Sequence, residues 1–228
     1  MMKNRLLVVC IFLTTLFVKA QDQGEDELGA WYMYFGNYKL SEKFSLHTEA
    51  QFRYYEVTDN FNQMLLRTGI NYHINDRFMV TAGYGYIETD ALYAEFQNEP
   101  NASENRIYQQ LVVKDNWGKF RLNHRYRLEQ RFLSAAGNSD FQNRVRYRLQ
   151  ITYPLSETFF MNVYDEIFLN LQDTVFGQNR LYGALGAKIN NNVSVQLGYL
   201  KNHFSNTKFD RLQLGVFINA DLSGNEKL

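Results

Sequence analysis

From Phe120 to Phe132 the chain reads FRLNHRYRLEQRF, and apolar and polar positions alternate one by one. Phe120, Leu122, His124, Tyr126, Leu128, Gln130 and Phe132 share one parity; Arg121, Asn123, Arg125, Arg127, Glu129 and Arg131 share the other. Successive side chains of a strand point to opposite faces, whereas a helix would scatter these arginines around its circumference. The run therefore predicts a strand well above the usual length of about 5–6 residues. The pattern recurs. Phe141, Asn143, Val145, Tyr147, Leu149, Ile151 and Tyr153 oppose Gln142, Arg144, Arg146, Arg148 and Gln150, and Leu46, Thr48, Ala50, Phe52 and Tyr54 oppose His47, Glu49, Gln51 and Arg53. Runs of this kind are predicted at Ala30–Lys39, Phe44–Tyr55, Gln63–Ile74, Phe78–Thr89, Glu104–Val113, Phe120–Phe132, Phe141–Tyr153, Phe159–Asn170, Asn179–Ile189, Val193–His203 and Phe209–Leu222.

The connections alternate in length. Leu40–Lys43, Asn75–Arg77, Pro154–Thr158 and Asn190–Asn192 are short; Glu56–Asn62, Asp90–Ser103, Leu133–Asp140 and Leu171–Gln178 are longer, while Lys114–Lys119 and Phe204–Lys208 fit less well. Short turns on one rim and long loops on the other are the signature of an outer-membrane barrel with periplasmic turns. The expected fold is all-β: an antiparallel, up-and-down transmembrane β-barrel. Eleven runs conflict with the even strand number of bacterial single-chain barrels, so the expectation is about 10–12 strands. If Ala30–Lys39 were a full wall strand it would start at the outer rim, and the acidic Asp22–Glu27 segment would have to cross back.

Alternation leaves open which face is outside. A soluble secreted barrel carrying a ligand would put the apolar face inward. About eight strands make an interior that side chains or one ligand can fill; ten or more lined by Phe, Tyr and Leu would enclose a large dry void. The runs also have the length of about 9–11 tilted residues that crosses a bilayer. Phe52, Tyr54, Tyr72, Phe78, Tyr86, Phe120, Phe132, Phe141 and Tyr153 fall toward strand ends on the apolar face, as the aromatic girdles of membrane barrels do. The apolar face is therefore assigned to lipid.

Composition narrows the reading. Lys+Arg and Asp+Glu balance at 24 each, and the basic residues sit at alternate strand positions, so no nucleic-acid partner is expected. Only two prolines occur, Pro100 and Pro154, both between predicted strands. Lys3 and Arg5, the apolar Leu6–Val18 and the Val18-Lys19-Ala20 sequence predict a signal peptide over residues 1–20, cleaved before Gln21. Residues 21–228 then form one outer-membrane domain without cysteine, since the single Cys10 lies in the signal segment. Outer-membrane lipid and, during insertion, the barrel-assembly machinery are the expected partners.

The polar face then fills the lumen with Glu49, Arg53, Arg67, Arg121, Arg125, Arg127, Glu129, Arg131, Arg144, Arg146, Arg148 and Glu166. Setting Phe132 opposite Phe141 places Glu129 against Arg144, Arg127 against Arg146 and Arg125 against Arg148. The first pair is favourable; the other two repel unless carboxylates reach them, and Glu49, Glu88, Glu104 and Glu166 are the inward candidates. Two readings follow: an arginine-lined constriction for a small anionic solute, or a salt-bridged plug, which the narrow barrel favours. Gly83 and Gly85 share the inward face, leaving room for arginines or easing wall curvature; with no helix following, they are not a phosphate loop.

No catalytic site is expected. His47, His73, His124 and His203 are the histidines. Only His124 has the parity of the apolar face, where a lipid-modifying enzyme of the outer leaflet would need it, and neither a partner serine nor a G-x-S-x-G motif accompanies it. No metal or cofactor spacing is present, and Asp90, Glu95 and Glu99 read as a solvated loop rather than a calcium loop.

The segments WYMYFGNYKLSEKFSLHTEAQFRYY, AGYGYIET, ENRIYQQL, RYRLEQRF, FQNRVRYRLQ, QNRLYGALG and DRLQLGVFIN together resemble the domain-of-unknown-function (2490) family of outer-membrane β-barrels of Bacteroidota type. The resemblance spans nearly all of the mature chain. It implies an outer-membrane barrel and supplies no activity, cofactor or site residue.

Overall fold

The computed structural model describes residues 24–90, 93, 101–172 and 174–224; the predicted signal peptide with Cys10, and most of the segment between Asp90 and Asn101, lie outside them. Eleven strands follow in order: β1 (Leu28–Lys39), β2 (Phe44–Tyr54), β3 (Phe61–His73), β4 (Phe78–Thr89), β5 (Ala102–Trp117), β6 (Phe120–Ala135), β7 (Asn138–Pro154), β8 (Phe159–Asn170), β9 (Phe176–Lys188), β10 (Val193–His203) and β11 (Lys208–Asp221). Each pairs antiparallel with the next, and β1 closes the barrel against β11.

The closure is parallel, Leu28 opposite Asp210 through Lys39 opposite Asp221. A chain that reverses at every hairpin and has an odd number of strands must bring its first and last strands together in the same direction. β1 is a full wall strand, paired along its length with both β2 and β11. The conflict between eleven runs and the even-number rule is thus resolved by one parallel seam. Parallel pairing is slightly weaker per residue, and here Phe35 stacks on Phe217 across the seam with centroids 4.8 Å apart.

The register of the central hairpin is the expected one: Phe132 opposite Phe141, Glu129 opposite Arg144, Arg127 opposite Arg146 and Arg125 opposite Arg148. Its connection is not. The predicted loop Leu133–Asp140 is mostly strand, and β6 and β7 are joined by Ala136 and Gly137 alone, with φ of 48° and 80°. Two left-handed central residues make a type I′ turn, whose twist matches that of the flanking strands. Likewise Lys114–Trp117 extends β5, and the chain turns at Gly118, φ 57°. The asymmetry between rims therefore rests on residues 55–60 and 90–101, on the rim opposite the short turns at 40–43, 74–77, 155–158 and 189–192.

The barrel is inverted relative to a soluble domain. Leu185 and Leu197 on the outer wall are 63% and 61% exposed, whereas inward-facing Glu129 and Arg127 are 0% and 4% exposed. Aromatic rings pair across strands at both ends of the wall. Phe44 meets Tyr72 and Phe120 meets Tyr153 at the short-turn rim; Tyr54 meets Phe61 and Phe132 meets Phe141 at the other.

Ala136 is the one alanine held in the left-handed region among the described residues, a conformation costing an L-residue roughly 1–2 kcal/mol. Ala136→Asn would restore the Asn-Gly pair that type I′ turns prefer. It is expected to raise the free energy of urea unfolding of the refolded barrel by up to about 1 kcal/mol, seen as a higher midpoint; an unchanged midpoint would show that the turn is not strained.

Candidate functional site: an arginine-rich lumen

Alternation in β2–β9 sends every second residue into the lumen, and most of the charged side chains of these strands are among them. The like-charge pairs of the β6–β7 hairpin are held by carboxylates that sit diagonally rather than directly opposite. Glu129, fully buried, accepts Arg144 Nε and Nη2 at 2.9 and 2.6 Å and Arg146 Nη1 at 2.7 Å. Arg106 and Arg127 stand 3.6 Å away. One carboxylate is ringed by four guanidiniums. Glu166 Oε1 accepts Arg125 Nη2 at 2.6 Å and Arg146 Nε at 2.9 Å. Glu104 holds Arg106 and Arg131 at 2.6 and 2.8 Å, and Glu49 holds Arg67 at 2.8 Å with His47 at 3.2 Å.

Aromatic rings supply the remaining support. Arg146, Arg180 and Arg144 lie over Phe168 at 4.1, 4.7 and 5.3 Å. Arg127 and Arg67 lie over Tyr108 at 4.8 and 5.4 Å. A guanidinium on a ring face keeps a favourable contact after losing its water. Gly83 has its place here: a Cβ there would run into the buried Tyr108 ring and the Thr68 carbonyl. The room made by this glycine serves the ring that the arginines stack on, and Gly85 lies beside the stem of Arg67.

The charge is uneven. Eleven arginines line a cavity of about 650 Å³ together with Glu49, Glu104 and Glu166, and Glu129 is buried beside them. Among the described residues Arg53, Arg148, Arg180 and Arg211 have no carboxylate within 4 Å. Arg148 and Arg180 both stand opposite Glu166 in register, yet its Oε1 engages Arg125 and Arg146 instead. Arg53 leans on the Gln51 and Gln63 amide oxygens. β10 and β11 carry Gln196, Asn202 and Gln213 inward with Arg211 as their one inward arginine, so the carboxylates of the network all stand on β2, β5, β6 and β8 while the cavity touches both sides. Its lining runs from Asn37, Lys114 and Asn219 near the short-turn rim to Asn62, Phe209 and Arg211 near the other.

Two expected members lie elsewhere. Arg121 is exposed at the short-turn rim, because the wall ends before its side chain meets the network. Glu88 faces outward: Ile87, 1% exposed, takes the inward position, and Glu88 accepts a hydrogen bond from Asn101 at the rim. Its inward assignment conflicted with that of Gly83 and Gly85, which have the opposite parity. The sequence reading missed Arg106, Arg180 and Arg211, though alternation in ENRIYQQL and QNRLYGALG already put Arg106 beside Glu104 and Arg180 beside Tyr182 on one face.

Residues 28–213, from the first strand into the last, match a family described as "Protein of unknown function (DUF2490)". The chain belongs to that family. The DUF2490 chain is also 26% identical, over 186 residues, to a protein of Methylorubrum extorquens described as uncharacterised, covering 76% of this chain and 77% of that one. Among solved structures, the translocator domain of autotransporter NalP from Neisseria meningitidis is similar with a TM-score of 0.46 at 14% identity, over 75% of this chain and 72% of that one. Neither the DUF2490 description nor that of the Methylorubrum relative names a substrate, so the chemistry must be read from the lumen.

Glu129→Gln would leave four guanidiniums facing a neutral amide. Breaking a buried pair in this way costs roughly 3–5 kcal/mol, so the variant is expected to lose that much in urea unfolding from lipid vesicles. Arg144→Gln should cost less, since three cations remain around Glu129. Exchanging Glu129 and Arg144 together should not restore stability, because the new arginine would meet the other three. Rescue by the double exchange would mean that Glu129 has a single partner.

Proposed function

We propose that this chain is a non-enzymatic outer-membrane β-barrel that lets small anions through a narrow lumen. It would be exported by a cleaved signal peptide and inserted by the barrel-assembly machinery, with the short turns periplasmic. The membrane reading is supported by the apolar outer wall, too broad to face water, and by the aromatic pairs at both ends of it. The observation that carries the passage is the cavity, lined from rim to rim with arginines in excess of carboxylates. A surplus of fixed positive charge lowers the energy of an anion and raises that of a cation. The cavity also favours a passage over the plug expected from barrel size.

His124 has a non-catalytic account. Its Nδ1 lies 2.9 Å from the Tyr147 hydroxyl on the neighbouring strand, with the rings stacked. A histidine–phenol hydrogen bond lets a polar ring sit on an apolar wall, and the hydroxyl it meets is that of a tyrosine, not of a serine. His124→Ala is therefore expected to leave the lipid composition of the host membrane unchanged; an altered acyl or headgroup profile would restore the lipid-modifying alternative.

The refolded barrel in a planar bilayer under a potassium chloride gradient should give small conductance steps with a reversal potential displaced toward that of chloride. A silent bilayer, or a reversal potential on the potassium side, would overturn the passage. Fractionation tests the location: a membrane pellet with heat-modifiable gel mobility is expected, and a soluble protein would sink the membrane reading.

A further inference from the structure

One part of the cavity wall sets buried donors that lack acceptors beside two arginines that lack a counter-charge. Trp31 on β1 stands directly opposite Arg53 on β2 and Gln213 on β11. Trp31 and Gln213 are 5% and 2% exposed, and neither the indole Nε1 nor the amide Nε2 has a hydrogen-bond partner. Arg53 lies over the indole ring at 3.9 Å, and Arg180, reaching over from β9, lies over it at 4.8 Å. These two cations are among those with no carboxylate within 4 Å, and the Nε of Arg180 is also unpartnered and out of contact with solvent. Beyond Gln213, Gly198 on β10 makes room for the ring of Tyr182 from β9, which packs with Trp31 and Leu200.

A buried donor without a partner, and a desolvated cation without a counter-charge, are both costly. Elsewhere in the lumen glutamates remove that cost. Here the polar neighbours are neutral amides: Arg53 donates to Gln51 and Gln63, and Asn202 stands opposite Arg180 with a buried, unpartnered oxygen, so no fixed negative charge meets the two cations. The indole offers a donor alone and guanidinium offers donors alone. The Gln213 amide can turn either its nitrogen or its oxygen toward the arginines, and its nitrogen is the end that an anion would hold inward.

We propose that Trp31, Gln213, Arg53 and Arg180 form a binding site for a small oxyanion of the phosphate or carboxylate class. The site deepens the passage reading and rests on it in one respect: the lumen must admit anions from solution. It would make conduction saturable, since an anion held by two cations and two neutral donors must leave before the next can follow.

The probe is built in. The chain has two tryptophans, and Trp117 is exposed at the rim, remote from the lumen. In the folded, detergent-solubilised Trp117→Phe barrel, Trp31 fluorescence is titrated with inorganic phosphate and, separately, with acetate, at ionic strength fixed with sodium chloride. The expected result is a saturable change for at least one oxyanion at millimolar concentration or below, and the lower midpoint names the class. Arg180→Gln and Arg53→Gln in this background should each raise the midpoint tenfold or more. Gln213→Glu, which keeps the volume and adds a carboxylate, should abolish the response, with heat-modifiable mobility confirming that each variant is folded. Rim variant Arg77→Gln should leave the midpoint unchanged. A response that never saturates, follows chloride equally, or keeps its midpoint in the Arg180 and Arg53 variants would overturn the site. The two readings fail separately. Conduction without a saturable Trp31 response removes the site and leaves the passage; a saturable response with a silent bilayer removes the passage and leaves the site.

Discussion

Everything inside this barrel depends on the charge around Glu129. A carboxylate at 0% exposure, held by Arg144 and Arg146 and approached by Arg106 and Arg127, links β5, β6 and β7 through one side chain. Without it the β6–β7 hairpin would press Arg127 against Arg146 and Arg125 against Arg148 in direct register, an arrangement that repels on a pleated surface. Glu166 then carries the network on to β8. The three longest strands, β5 to β7, are the ones that meet at Glu129. Buried ion pairs add little stability in general, because desolvation offsets attraction. Their consequence here is geometric: the guanidiniums held by Glu49, Glu104, Glu129 and Glu166 are fixed in direction along the cavity that they line.

The wall was legible in the sequence because a strand's period of two is the strongest pattern this chain carries. Alternation located the strands, fixed the register through the Phe132–Phe141 pair and sorted nearly all of the charged residues to the right face. It misplaced what depends on something other than parity. Ala136-Gly137 does not read as a two-residue turn, because alanine rarely takes that conformation, so Leu133–Asp140 looked like a loop. Arg121 has the correct parity but stands past the end of the network. Glu88 was misplaced by a parity slip that its own strand contradicted.

The lumen's cross-barrel contacts were less legible still. Register relates a residue to its neighbours on adjoining strands, and nothing in the alternation says that Arg180 reaches from β9 to Trp31 on β1. Gly198 marks a second limit: a Cβ there would run into the Tyr182 ring, which packs with Trp31. Small residues in a strand read as flexibility or curvature; here Gly83 and Gly198 clear space for rings of the adjoining strands. The glutamates show the same limit, since Glu129 reaches past its register partner Arg144 to Arg146, and Glu166 engages Arg125 and Arg146 instead of the arginines opposite it.

The parallel seam has a consequence for the polypeptide as a whole. An even-stranded barrel returns its chain to the side from which it started. This one does not: Leu28 and Asp221 end on opposite rims. With an odd number of crossings the covalent chain has a net direction through the wall, so segments joined ahead of β1 and behind β11 would emerge in different compartments. A tag before β1 and a tag after β11 would thus be two reporters of sidedness on one molecule.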